Sequence, residues 1–85
     1  MSKEVKIISI KRKPGNFFYS NWRNPVDIVT IEYANGIKDD FVSDPYQNNF
    51  QQLIGETIKV FFNSSKGLNW ISFIKENLKQ GLSYA

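Results

Sequence analysis

Residues 11–23 read Lys-Arg-Lys-Pro-Gly-Asn-Phe-Phe-Tyr-Ser-Asn-Trp-Arg, which sets Phe17, Phe18, Tyr19 and Trp22 between Lys11, Arg12, Lys13 and Arg23. Cations neutralise phosphate and aromatic faces stack on bases, so single-stranded DNA or RNA is the ligand that uses both properties at once. The same side chains have a plainer use. Aromatic residues of a small barrel also pack beneath their own loops, and a Lys-Arg-Lys run also serves as a solvated strand end. Tyr19 and Trp22, with polar tips suited to a half-wet position, are the better ligand candidates of the four.

Other chemistry finds little support. The chain has no cysteine and no histidine, so disulfides, thiolate metal sites and the commonest general base are missing. Serines lack a histidine partner, and no glycine-rich phosphate loop precedes a helix. Asp39-Asp40 with Asp44 offers hard oxygen ligands but lacks the Asn and Gly spacing of a calcium loop. The expectation is a binding module with no enzymatic activity, no cofactor and no metal.

Charge is segregated along the chain. Residues 1–23 carry Lys3, Lys6, Lys11, Arg12, Lys13 and Arg23 against Glu4. Residues 24–57 carry Asp27, Glu32, Asp39, Asp40, Asp44 and Glu56 against Lys38, and the remainder is basic again. Blocks of one sign steer partners of the other. Glu32, Asp39, Asp40 and Asp44 therefore define a second candidate surface, one that repels phosphate and suits a basic protein partner. On that reading the chain is a docking module, such as a small viral or mobile-element inhibitor of a host protein complex.

Eighty-five residues make one domain with a modest core. The charged N-terminal segment lacks the apolar stretch of a signal peptide, no apolar run approaches a membrane span, and the absence of cysteine suits a reducing interior. A cytoplasmic location without membrane association is expected. Asn63-Ser64-Ser65 matches a glycosylation acceptor but reads as a turn.

The elements that must position these residues follow from periodicity. Lys3–Arg12 alternates loosely, with Val5 and Ile7 on one face and Ile8 and Ile10 on the other, as in a strand that bends or is covered on both sides. Pro14-Gly15-Asn16 ends it, and a loop runs from residue 13 to residue 26, with a short strand at 16–20 as an option. Val26–Tyr33 and Ile37–Val42 flank Asn35-Gly36, the strongest two-residue hairpin signal, which calls for positive φ at both turn residues. Asp44-Pro45 starts a helix reaching Ile54, with Tyr46, Phe50, Leu53 and Ile54 on one stripe and Gly55 as its left-handed stop.

Thr57–Phe62 is a strand with Phe61 opposite Ile58, Val60 and Phe62, and residues 63–67 form a loop. Residues 68–74 are read as a final strand, although Trp70, Ile71, Phe73, Ile74 and Leu78 also fit helical spacing over 69–80. Five strands with one helix between the third and fourth is the order of the oligonucleotide-binding (OB) barrel. An SH3-like barrel and a small α+β sheet with a C-terminal helix are the alternatives. In an OB barrel the 13–26 and 63–67 loops flank the ligand groove, so the candidate nucleic-acid site comprises Lys11, Arg12, Lys13, Phe17, Phe18, Tyr19, Trp22, Arg23, Phe61, Lys66 and Trp70.

Overall fold

The computed structural model describes residues 2–17 and 23–73. Five strands, β1 (Ser2–Lys13), β2 (Val26–Glu32), β3 (Lys38–Ser43), β4 (Thr57–Ser65) and β5 (Leu68–Phe73), close into a barrel in the order β1-β2-β3-β5-β4. All neighbours are antiparallel except β3 and β5. A mainly β, OB-like barrel is thus the fold. Residues 68–73 are strand, which removes the helical reading for that part, and residues 74–80 lie outside the described residues.

The loose alternation of β1 has a geometric cause. Residues Ser2–Lys6 pair with β4, residues Lys6–Lys13 pair with β2, and a bulge between Ile7 and Ser9 joins the two halves. One extra residue resets the pleat, so Ile10 joins Val5 and Ile7 at the core while Ile8 is left half-buried. The bulge also frees the Ile7 backbone. Its N–H donates to the Glu56 carbonyl (2.9 Å) and its carbonyl accepts from Gly55 N–H (2.7 Å), which anchors the entry to β4. Gly55 has φ +91°, a conformation costly for any residue with a Cβ.

Side chains of alternating parity fill the barrel: Val5, Ile7, Val29, Ile31, Val60, Ile71 and Phe73 from the strands, with Phe50 and Leu53 from below. The Phe50 and Phe73 rings meet edge to face, 4.7 Å between centroids. On the residues between β3 and β4 the sequence expectation needs correction. Among the described residues there is no α-helix here, only a turn at 45–47 and a 3₁₀ helix at Phe50–Leu53. Phe50 and Leu53 are core residues as expected, but Tyr46 is 72% and Ile54 46% exposed. Asparagine side chains compete with helical hydrogen bonding, and two of them interrupt this segment. Asn49 caps the 3₁₀ helix through Gln51 N–H, while Asn48 is drawn to β5.

The hairpins differ from expectation in an informative way. At 34–36 only Gly36 has positive φ (+88°), and Tyr33 both receives the Gly36 N–H on its carbonyl and donates to Ile37, so the loop has three residues rather than two. The two-residue turn with positive φ at both positions is instead Lys66-Gly67 (+54° and +76°), and it extends β4 to Ser65 where a loop was expected.

Closure is narrowest between β3 and β5, whose ladder consists of the single pair Val42 and Trp70. Asn48 fastens this seam. Its Oδ1 accepts from Phe73 N–H (2.8 Å) and its carbonyl accepts from the buried Ser43 hydroxyl (3.4 Å). Removing the acceptor strands a backbone donor, which costs about 1–3 kcal/mol. Asn48→Ala should therefore lower unfolding stability by about that amount in denaturant titration, whereas Asn48→Asp, which keeps an acceptor, should lose less.

Candidate nucleic-acid interface

Cross-strand pairing lines up a row of outward-pointing positions across the barrel. Because Val29 and Ile31 point inward, Ile28 and Thr30 point outward. The partners of Ile28 are Lys11 on β1 and Val42 on β3; Val42 pairs with Trp70 on β5, and Trp70 with Asn63 on β4. Lys11, Ile28, Val42, Trp70 and Asn63 thus share the outward side across all five strands, but Val42 is itself buried, so the solvent-facing stripe is interrupted at β3.

One end of the stripe meets the base of the 13–26 loop. Lys13 stands on the same outer side as Lys11, and its ammonium lies 5.0 Å from the centroid of Phe17, a cation–π contact. Phe17 belongs to a 3₁₀ turn at Gly15–Phe17 and is 50% exposed. The loop's two ends converge there. A Cβ on Gly15 would fall 2.4 Å from the Arg23 carbonyl oxygen and 2.8 Å from that of Asn24, so only glycine allows this closeness. The backbone of exposed Arg23 is thereby held against Gly15, at the base of the loop. Phe18, Tyr19 and Trp22 lie outside the described residues.

The other end carries the β4–β5 hairpin. Trp70 is half-buried, and its indole Nε1–H donates to the Ser65 carbonyl (3.0 Å), which fixes the ring against the turn that bears exposed Lys66. Beside it a shallow cleft of about 280 Å³ opens over the β3–β5 seam. Phe61 also faces outward but pairs with Ser2 and Ser72, one step aside from Trp70.

Arg12 must be reassigned. It projects to the side opposite Lys11 and Lys13, where its Nε donates to Asp27 Oδ1 (2.8 Å) and a terminal nitrogen donates to Oδ2 (3.2 Å). The Asp27 side chain is 0% exposed and that of Arg12 52%, so the guanidinium is the outer cap of a buried carboxylate at the barrel end. Hydrogen bonding by Asp27 and then its charge raise the Arg12 pKa further above its ordinary range. Sequence reasoning missed Asp27 as a partner. The signal was parity, since Asp27 shares a face with Val29 and Ile31 and must point inward with them.

The acidic residues are dispersed. Asp40, on the outer face, accepts from the Thr30 hydroxyl (2.6 Å), whereas Asp39, on the other side of β3, accepts from the Tyr33 hydroxyl (3.0 Å). Burial, and then the hydrogen bond and charge of Asp39, push the Tyr33 pKa upward. Asp44 caps the turn after β3 by accepting from Tyr46 N–H (2.9 Å), and Glu32 sits at the far end of β2. Among the described residues no group of three or more acidic side chains could hold a metal ion, and no helix is long and apolar enough to cross a membrane. Comparison with protein-family models, curated proteins and solved structures finds no match.

Removing one partner of a buried ion pair leaves the other charge uncompensated. Because water reaches the Arg12 side, the loss should be near that of a charged hydrogen bond, about 2 kcal/mol. Arg12→Met should destabilise by that amount in denaturant unfolding, and the double variant Arg12→Met/Asp27→Leu should recover part of it. An equal loss in Arg12→Met and the double variant would show that the pairing itself is not what matters.

Proposed function

We propose that this barrel binds single-stranded nucleic acid along the outer stripe from the base of the 13–26 loop to the β4–β5 hairpin. The observation that carries this reading is the placement of a solvent-accessible aromatic near a lysine at each end, Phe17 beside Lys13 and Trp70 on the hairpin that bears Lys66. Each stacked base contributes about 1–3 kcal/mol. Lys11, Lys13, Arg23 and Lys66 supply phosphate contacts, whereas Arg12 is paired with Asp27.

Asp40 interrupts the surface between these ends, so a backbone path would lie on the Lys11 and Lys13 side of the stripe. The rival reading, a protein docking through Glu32, Asp39, Asp40 and Asp44, is weakened by their dispersal. Asp39 and Asp40 stand on opposite sides of one strand, and Asp44 is engaged in a turn.

Tryptophan emission should fall as a mixed-sequence oligonucleotide is added at low salt. Four phosphate contacts on a single strand predict a log–log salt slope of about −3. Replacing Lys11 and Lys13 by glutamine and Lys66 by asparagine, which tolerates the turn's left-handed backbone, should flatten the slope by about two units. Absence of binding at low salt would overturn the reading.

A further inference from the structure

Resting on that reading, we infer that the cleft over the β3–β5 seam seats one unpaired base and favours bases with an exocyclic amino group over thymine and uracil. The cleft is lined by Asp44, Gln47, Asn48, Asn63, Lys66 and Trp70, so amides and a carboxylate surround one edge of an indole ring. Its volume, about 280 Å³, lies just below the range usual for small-ligand sites, which suits a single base rather than a larger group.

Three of these side chains are already oriented by the fold. Trp70 is held by its bond to the Ser65 carbonyl, which presents a ring for stacking without further ordering cost. Asn48 accepts from Phe73 N–H through Oδ1, so its amide orientation is settled and only its NH₂ group is left to donate. Asp44 uses Oδ1 for the Tyr46 N–H, and a carboxylate retains further acceptor positions.

Discrimination follows from that carboxylate. A base edge bearing an amino group, such as N4 of cytosine, donates to it, whereas the O4 of uracil or thymine meets it acceptor to acceptor. The Asn48 amide then serves a ring carbonyl on the same base. Lys66, on the rim, is placed for the phosphate of that nucleotide.

The test uses the full chain with Trp22→Phe, which leaves Trp70 as its one tryptophan, titrated with oligodeoxycytidylate and oligodeoxyuridylate of equal length at a pH where cytosine is neutral. We expect Trp70 quenching by both, with cytidylate bound about fivefold more tightly or better. Asp44→Asn, which keeps the turn acceptor but removes the charge and adds a donor, should abolish the preference; if Trp22→Phe does not fold, the wild-type chain with and without Asp44→Asn answers by anisotropy of labelled oligonucleotides. Equal affinities, a preference that survives Asp44→Asn, or Trp70 emission unmoved by bound oligonucleotide would overturn this inference alone. Failure of every oligonucleotide to bind at low salt would overturn it together with the reading beneath it.

Discussion

Everything on the outer stripe depends on closing β3 against β5 with one ladder pair. Parallel partners far apart in sequence gain little from each backbone bond relative to the loop entropy of bringing them together. Here the deficit is made up around the pair rather than within it: Asn48 replaces a missing ladder acceptor for Phe73, the Phe50 and Phe73 rings meet beneath it, and the Trp70 indole ties itself to Ser65 above it. Because the seam is sparse, it leaves a cleft. The same economy that makes closure delicate therefore provides the surface with its concave feature.

Strand parity divides neighbouring charges into two roles. Lys11, Arg12 and Lys13 are adjacent in sequence, but the pleat turns Arg12 toward Asp27 and leaves the two lysines on the stripe. Parity likewise separates Asp39 from Asp40. A run of like charge in the sequence is thus not a patch of like charge on the barrel, and the proposed electrostatic surface is smaller and more mixed than the segregation along the chain suggests.

The fold was legible in the sequence where hydrophobic periodicity was strong. The β2 alternation, the inward set Ile58, Val60 and Phe62, and the order of five strands all emerged from it. The helix was misread because Asp44-Pro45 and an apolar stripe signal a helical start, while the competing hydrogen bonds of Asn48 and Asn49 depend on partners that only the tertiary fold brings near. Turn types were exchanged for a similar reason. Asn35-Gly36 has the chemistry of a two-residue turn, but the pairing of Glu32 with Lys38 leaves a longer connection there. Of the proposed site, the basic and aromatic residues flanking the loop were visible, whereas Asn48 and Asn63 were not, because their roles arise from contacts that only the tertiary fold creates.

The central claim is that nucleic acid lies along the stripe from the 13–26 loop base to the β4–β5 hairpin. Backbone amide chemical-shift mapping with a short single-stranded oligonucleotide at low salt tests this most directly. The account predicts perturbations concentrated at Lys11, Lys13, Phe17 and Arg23 at one end and at Lys66 and Trp70 at the other, with Asp39 and the 34–36 turn little affected. Shifts centred on Asp39 and that turn, or none at saturating oligonucleotide, would contradict it.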